Sequence, residues 1–326
     1  MKIRVNVWFV LAFVAATRFL YNVVVAQTMP KSAPIIVTNT NDVMGGKSPA
    51  IPAFPKLTRK PGYLRGSVRD SAGRPLEGAH IMVIPAALFG SSRTSQAIKG
   101  RTDANGFYEI ALPVGGCRVW CAGYAVTVNG VRLALPLHPA DGELDTLDKD
   151  RGDIENFVLL SYGIANPSTV SENPVYCRGY YGASFTIGYN LSDPTDSVVP
   201  PGNLPEGAEV EITLTPDGAL MDGSQGHTLV VRKTLKNSSY FQVNDVPIGR
   251  YRIWARLLNH GNAEPLRLKD NGRSAAQGGM EPKETEETAT IIFRSESGDP
   301  SVLRVPNGNM ERLSLLVKRI GKGGSR

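Results

Sequence analysis

The chain has 326 residues, of which 41% are hydrophobic and 20% are charged, and this globular composition excludes wholesale disorder. The 36 basic and 30 acidic residues give a net charge of +6 at pH 7, which falls to +3 if the three basic residues among residues 1–26 are removed. A charge of this size does not indicate nucleic-acid binding, and we expect no nucleic-acid partner.

The first 26 residues have the features of a secretory signal peptide. A basic start precedes an apolar run over residues 5–17, and small residues allow cleavage after Ala26. Arg18 interrupts the apolar run, which argues against a continuous membrane span. We therefore expect a secreted or cell-envelope protein, which would contact a membrane only if the leader stays uncut as an anchor.

Residues 27–62 are predicted to form a proline-rich linker. The stretch contains six prolines and only one acidic residue, Asp42. Because proline fixes φ and lacks an amide proton, we expect an extended and semi-rigid segment.

A pattern of short strands begins at Tyr63. Apolar and polar residues alternate over residues 63–69, 79–83, 107–112 and 117–121. Asn129-Gly130 separates two further apolar runs and is the strongest hairpin signal in the chain. The pattern predicts an antiparallel β-sandwich over residues 63–165.

The turn residues of this region resemble those of the carboxypeptidase regulatory-like domain, a small transthyretin-like β-sandwich. The matching positions are Gly66-Ser67-Val68, Asp70, Gly73, Pro75-Leu76-Glu77-Gly78-Ala79, Val83, Thr102-Asp103, Asn105-Gly106, Tyr108, Ile110, Leu112-Pro113, Gly115, Val119 and Gly123-Tyr124. The resemblance covers about residues 63–162. It departs from the family at Cys117, where an aromatic residue is expected, and at an insertion around residues 134–154.

The length of the whole chain suggests about two domains. The second half of the chain repeats the strand pattern of the first weakly. Residues 113–120 align with residues 247–254 at a constant offset, and alternation recurs up to residue 317. We predict a connector at 166–180, a second, diverged sandwich at 181–320 and a basic tail at 321–326. Within the second sandwich, the polar residues 259–286 are predicted to form a long exposed loop.

No catalytic signature is recognisable in the sequence. The family resemblance suggests a search for zinc peptidase ligands, but none of His80, His138, His227 and His260 begins a His-x-x-Glu motif. A Gly-x-Ser-x-Gly elbow is also missing from the sequence. We therefore predict a chain that is not an enzyme and that needs no cofactor.

The insertion carries a candidate calcium site. Seven acidic residues lie within residues 141–155, and carboxylates are the ligands that Ca²⁺ prefers. The candidate ligands are Asp145, Asp148, Asp150 and Asp153. Glycine and aspartate stand in the reverse order from the usual calcium loop, so a solvated acidic loop remains the alternative.

The three cysteines allow one disulfide. Cys117 and Cys121 are four residues apart in one predicted strand, so their Cα atoms lie about 13 Å apart and cannot be bridged. Both are expected to face the core together with Val119. Cys177 in the connector can pair with Cys121 or Cys117, and the alternative is three free thiols.

Tryptophan flanked by arginine on an outward strand face is the candidate binding feature. The residues concerned are Arg118 and Trp120 in the first sandwich, and Arg250, Arg252, Trp254 and Arg256 in the second. An exposed indole can stack on a sugar ring, and guanidinium groups pair with acidic groups. The alternative is that each tryptophan lies under a loop or in a domain interface.

The sequence thus predicts an all-β protein with two transthyretin-like antiparallel β-sandwich domains after a signal peptide and a proline-rich linker. The first functional hypothesis is a non-catalytic cell-surface or envelope scaffold, whose partner would be a surface protein or a polysaccharide. The second is a carbohydrate-binding protein that uses Trp120 or Trp254. The third is an accessory subunit of a separately encoded hydrolase.

Overall fold

The structure is a computed structural model. It describes residues 33–85, 97–128, 131–144, 146–165, 170, 179–192, 200–236, 238–259, 262–272, 279–293, 295, 298–303 and 313–320. Apart from one 3₁₀ turn at Pro300–Val302, every regular element in these ranges is a β-strand, which confirms the all-β prediction. Within the same ranges no helix has the length and apolar character needed to cross a membrane. The predicted leader, residues 1–26, lies outside the described residues.

Strand β1 (Ile35–Thr38) comes first in the chain and pairs with the second of two sheets. The first sheet is formed by β2 (Tyr63–Asp70), β3 (His80–Pro85), β4 (Ile98–Arg101), β5 (Phe107–Ala111), β6 (Cys117–Val128), β7 (Val131–Pro139), β8 (Asp153–Ile154) and β9 (Phe157–Leu159). Their order is β4-β3-β6-β7-β9-β2-β5, with β8 beside β2. The antiparallel pairing of β6 with β7 confirms the hairpin predicted around residues 129–130.

The first sheet has its core on the face that alternation predicts. Tyr108 and Ile110 of β5 are buried, and the Tyr108 hydroxyl donates a 2.6 Å hydrogen bond to the Glu155 carbonyl oxygen. Gly66 lets these groups approach, because a Cβ there would lie 1.8 Å from that carbonyl oxygen. A larger residue at position 66 would therefore displace the Glu155 backbone and the Tyr108 ring.

The second sheet contains the remaining strands. They are β10 (Ala183–Gly188), β11 (Glu209–Pro216), β12 (Leu229–Thr234), β13 (Tyr240–Val246), β14 (Arg250–Asn259), β15 (Asn262–Asp270), β16 (Gly279–Glu281), β17 (Glu284–Thr285), β18 (Ala289–Ile292) and β19 (Leu313–Arg319). The main order is β1-β12-β11-β14-β15-β19-β10-β13, and β18 pairs with β14. The two sheets fall largely within the predicted sandwich ranges, whose limits remain a prediction.

The predicted exposed loop at 259–286 is wrong, since β15, β16 and β17 lie within it. In β15 only Leu266 and Leu268 are buried, and they lie among Pro265, Arg267 and Lys269. The strand is held by its pairing with β14 on one side and β19 on the other. Alternation of two leucines was too short a signal to reveal it.

Residues 33–46, which we name the closing segment, differ from the predicted linker. Strand β1 pairs in parallel with β12, and Asp42 forms a parallel bridge to Asn244 of β13. Val43 and Met44 are buried in the core. Since β1 is one end of the sheet and β13 is the other, the segment joins both ends and closes the sheet into a barrel-like ring. Residues 47–61 form no regular element and are mostly exposed.

A buried carboxylate fastens the two sheets together. Oδ2 of Asp222, which is 1% exposed, accepts hydrogen bonds from the hydroxyls of Ser71 (3.1 Å) and Ser161 (2.9 Å). The amide of Ile248 also donates to the Ser161 carbonyl oxygen at 2.8 Å. Both serines belong to the region of the first sheet, so Asp222 ties it to the region of the second.

Asp245 fastens the chain between the sheets. Its Oδ1 accepts hydrogen bonds from the amides of Gly163 (2.9 Å) and Gly182 (3.2 Å), which lie on either side of the connector. Burial raises the pKa of this carboxyl to about 7, and the two amide hydrogen bonds oppose the shift. Asp245 itself has a φ of 56°, in the left-handed region.

Ser295 and residues 298–303, which follow β18 in the chain and which we name the arm, lie on the outer face of the first sheet. The Ser295 hydroxyl accepts a 3.0 Å hydrogen bond from the Ala134 amide. Pro300 and Leu303 are buried, and a Cβ at Gly123 of β6 would lie 2.4 Å from the Pro300 carbonyl oxygen. The arm therefore adds apolar contact to the hydrogen bonds made by Asp222.

Candidate functional site

The second sheet forks at Trp254. Residues Arg250–Ile253 of β14 pair with β18, whereas Ala255–Asn259 pair with β15, and Trp254 lies between the two sets. The separation of β15 from β18 leaves an open groove of about 560 Å³. We name it the fork groove. It is lined by Trp254, Arg256, Ala263, Pro265 and residues 286–288.

Arg256 is fixed in the groove by ion pairs across three strands. Glu211 of β11 stands opposite Arg256 of β14 on one side and Arg232 of β12 on the other. Its side chain is 2% exposed and accepts from Nε of Arg256 at 2.7 Å and from Nε of Arg232 at 2.9 Å. One carboxylate between two guanidinium groups leaves a net positive charge on this side of the groove.

The residues before β18 give the other side of the groove an acidic character. Glu286 pairs with Arg267 of β15, and this hydrogen bond raises the pKa of the Arg267 guanidinium. The exposed Glu287 is held in place through its amide, which donates to the Thr285 hydroxyl at 3.1 Å. A half-buried indole thus lies between a guanidinium group and carboxylates, which are groups that can stack on a sugar ring and bond its hydroxyls.

The structure separates the predicted arginine and tryptophan residues. Of the four on β14, Trp254 and Arg256 line the fork groove. Arg250 pairs with Asp217 at 2.9 Å, and Arg252 is exposed opposite Thr290. The outward orientation predicted for these residues therefore gives one two-residue site rather than a four-residue platform.

Arg118 and Trp120 form a separate pair on β6 of the first sheet. Both are half-buried, and the guanidinium carbon of Arg118 lies 5.8 Å from the centre of the indole. The arm covers the same strand at Gly123. This position fits the alternative in which a tryptophan lies beside a covering segment.

Two of the predicted calcium ligands, Asp148 and Asp153, make hydrogen bonds within their own loop. Asp148 accepts from the amides of Asp150 (2.9 Å) and Arg151 (3.1 Å), and its hydrogen bond with the Arg151 side chain lowers the pKa of the carboxyl. Asp153 accepts from the Asp148 amide at 3.1 Å. Asp145 lies outside the described residues. In the described ranges no three His, Cys, Asp or Glu side chains are placed to hold a metal ion, and calcium binding stays an expectation.

The prediction that Cys121 shares the core face of Cys117 and Val119 is wrong. All three are buried, but Cys121 lies outside the main core cluster that contains the other two. The pairing of β3 with β6 shifts register between Met82 and Val83, so β6 carries an extra residue between Val119 and Cys121. Such a bulge reverses the alternation beyond it. Cys177 lies outside the described residues, so its disulfide with Cys121 stays a prediction.

Sequence reasoning missed the residues that complete the fork groove. Glu211 was recognisable in principle, because Val210, Ile212 and Leu214 alternate around it and place it on the outer face with the arginines. Residues 286–288 carried no such signal, since only the pairing of β18 brings them beside Trp254. The neighbours of a residue in a sheet depend on the register between two strands, and the sequence of one strand does not determine that register.

No family model and no curated protein matches the chain. Similar solved structures include the Bacillus anthracis TIE protein, at 13% identity and a TM-score of 0.25 over 79% of this chain and 51% of that one. A Streptococcal ancillary pilin has 15% identity and a TM-score of 0.20, over 76% of this chain and 62% of the pilin. The shaft pilin SpaA of Lactobacillus rhamnosus GG has 12% identity and a TM-score of 0.20, over 80% and 99% of the two chains.

The chain spans about half the length of the Bacillus anthracis protein. TM-scores of 0.25 or less do not indicate a common fold, so the proposals below rest on this chain's own residues. The resemblance to the carboxypeptidase regulatory-like domain remains a prediction.

Proposed function

We propose that this chain is a non-catalytic, exported scaffold or interaction protein of the cell surface or envelope. The observation that carries the proposal is the fastening of the two sheets. Asp222 accepts from Ser71 and Ser161 in a buried position, and the arm packs on the outer face of the first sheet. A unit fastened in this way would hold its loops and grooves at a fixed spacing, which a scaffold requires.

Buried hydrogen bonds make this fastening costly to open. Separating the sheets would remove the hydrogen bonds of Ser71 and Ser161 to Oδ2 of Asp222 and leave only those of Ser224 to Oδ1. A buried carboxylate oxygen that loses its partners is strongly destabilising. The apolar contact of Pro300 and Leu303 would be lost at the same time. The sheets are therefore expected to unfold together rather than move independently.

Export and stiffness are the two properties that test this proposal. The full chain is expressed, cell fractions are separated, and the mass of the recovered protein is measured. We expect the protein outside the cytoplasm and without residues 1–26, or outside it with the leader retained as an anchor. Recovery from the cytoplasm with the leader intact would contradict export. Two separate unfolding transitions in calorimetry would contradict a single stiff unit.

Carbohydrate binding at the fork groove is a second candidate function, favoured by the position of Trp254 in that groove. An indole beside Arg256, Glu286 and Glu287 combines a stacking surface with donors and acceptors for hydroxyl groups. A volume of about 560 Å³ lies within the range of small-ligand sites. A polysaccharide would then be the surface partner of the scaffold.

A glycan array tests this candidate directly. Residues 27–326 are applied with and without Ca²⁺, together with the variants Trp254→Ala and Trp120→Ala. We expect binding that Trp254→Ala abolishes and Trp120→Ala leaves intact, because Trp120 lies on the other sheet. Binding that both variants retain, or no binding to any glycan, would remove the fork groove as a sugar site.

A further inference from the structure

The closing segment occupies a slot between two strand edges. On the β12 side, the Ile35 amide donates to the Thr228 carbonyl oxygen at 2.8 Å and the Asn39 amide donates to that of Arg232 at 2.9 Å. On the β13 side, Asn244 donates to the Asn41 carbonyl oxygen at 2.6 Å and accepts from the Val43 amide at 3.1 Å. The slot therefore offers backbone donors and acceptors on both sides to an extended peptide.

Side chains fix the register of the segment in this slot. Asn39 accepts from the Thr234 amide at 2.9 Å, and Asn41 accepts from Nζ of Lys233 at 2.7 Å. Val43 is 1% exposed and inserts into the core. A peptide that slips by one residue would point these side chains to the wrong faces. The slot thus has the specificity of a binding site and not merely that of an open sheet edge.

Two features make the segment separable from the slot. A cavity of about 130 Å³ lies beside it and is lined in part by Ile35 and Met44, so the packing of these two side chains is incomplete. Ile36 is 54% exposed and contributes little to the contact. The fully buried anchors, Val43 and Met44, are therefore confined to one end of the segment. The other end is held by the four-residue pairing and by the partly buried Ile35 and Val37.

Residues 47–61, which connect the closing segment to the first sheet, are long enough to let the segment enter the slot of another molecule. The segment continues into residues 47–61, which form no regular element and are mostly exposed, and then into the first sheet. Fifteen extended residues reach about 50 Å, since each spans about 3.3 Å. If this tether leaves the surface of the first sheet, the segment can reach the slot of a neighbouring molecule.

We propose that the slot between β12 and β13 is a strand-acceptor site that takes the closing segment of a second copy of this chain. The pairing in the swapped form is the pairing seen here, so exchange creates no new contacts and loses none within the slot. This deepens the proposed scaffold function by naming a partner. One-way insertion joins copies into a chain of molecules, whereas reciprocal insertion closes a dimer.

Peptide exchange in the full chain tests the acceptor site. A protease recognition sequence is inserted after Ile51, which is 39% exposed, and the protein is cut so that the segment is held without a covalent bond. A labelled peptide of residues 33–46 is then added in excess. We expect it to replace the native segment. The same peptide with Val43→Asp should bind at least about tenfold more weakly, because it would bury a charge. Cut protein that takes up neither peptide would overturn the site.

Mixed assembly tests the second copy as the occupant. Two full-length versions with different C-terminal tags are refolded together at high concentration, and one tag is captured. We expect the other version to be recovered, and we expect its loss when both carry Val43→Asp. Peptide exchange without any mixed recovery would overturn the second copy as the partner. Neither measurement depends on export or on sugar binding, so failure here is distinguishable from failure of the proposed function.

Discussion

The two sheets close their open ends in different ways. In the first sheet the end strands β4 and β5 meet through side chains: Gly100 faces Ile110, and a Cβ at Gly100 would lie 2.5 Å from Cγ1 of Ile110. In the second sheet the ends are joined by backbone hydrogen bonds to the closing segment. The ends of the first sheet thus meet through residues that are near each other in the chain. The ends of the second sheet are joined by a segment that precedes the first sheet in the chain.

This difference separates the sensitivities of the two sheets. The first should respond to changes within residues 98–111, and the second to changes near the N-terminus of the described chain. Asp222, by contrast, belongs to both because it accepts hydrogen bonds across the junction. Four substitutions test the comparison, and they are described from the largest expected effect to the smallest.

Asp222→Ala should destabilise both sheets together, unlike a substitution within either sheet. The change removes the acceptor of three serine hydroxyls, those of Ser71, Ser161 and Ser224, of which that of Ser161 is buried. We expect a loss of about 3 kcal/mol in the free energy of unfolding, measured with urea. Asp222→Asn keeps one acceptor oxygen and should lose less. Hydrogen exchange that speeds up in one sheet alone would show that the junction is not shared.

Val43→Ala should destabilise the second sheet alone. The substitution leaves a void in the core, where Val43 is 1% exposed, and we expect a loss of about 2 kcal/mol. Faster hydrogen exchange should be confined to β12 and β13. Ile36→Ser is the matched control in the same segment, because Ile36 is 54% exposed and its change should cost under about 0.5 kcal/mol. Equal losses from the two variants would contradict the anchoring role of Val43.

Gly100→Val should destabilise the first sheet alone. The new side chain would press on Ile110 where β4 approaches β5, and overpacking of this kind costs about 1–2 kcal/mol. The matched change Gly298→Val places a side chain at an exposed position, 3.7 Å from the Arg132 carbonyl oxygen, and should cost much less. Hydrogen exchange should speed up in β4 and β5 and stay unchanged in β12.

Asp245 should make stability depend on pH with an unusual sign. Its folded pKa is raised to about 7, above the value of about 3.9 for an unfolded aspartate. The folded state therefore binds the proton more tightly, so the contribution to stability is largest at low pH and declines as pH rises from about 4 to about 7. Unfolding by urea at pH 5 and pH 8 measures the effect. Asp245→Asn should remove this part of the pH dependence, and an unchanged profile would contradict it.

Sequence patterns predicted well those features that depend on one strand. The alternation around Tyr108 and Ile110 placed β5, and the outward orientation of Trp254 and Arg256 followed from the same period of two. The pairing of β6 with β7 followed from Asn129-Gly130. Each of these signals lies within about ten residues of the chain, where propensity and turn chemistry act.

Features that depend on two distant strands were not predictable in this way. Ile35-Ile36-Val37-Thr38 has strand character, but the surrounding prolines concealed it, and its partner β12 lies far along the chain. Asp222 stands in the sequence Met221-Asp222-Gly223, which reads as an ordinary turn until Ser71 and Ser161 are brought beside it. The fork groove likewise exists only after β15 and β18 take opposite halves of β14.

The position of the closing segment sets an order of events during synthesis. Asn39 emerges from the ribosome early, and Thr234, to which it is hydrogen-bonded, is 195 residues later in the chain. The first sheet can form in this interval, but the second cannot close until β12 and β13 have been made. Until then the segment's backbone groups are unpaired strand edges, the kind of surface on which newly made chains associate. The earliest described strand thus waits for partners that are made only after the whole first sheet.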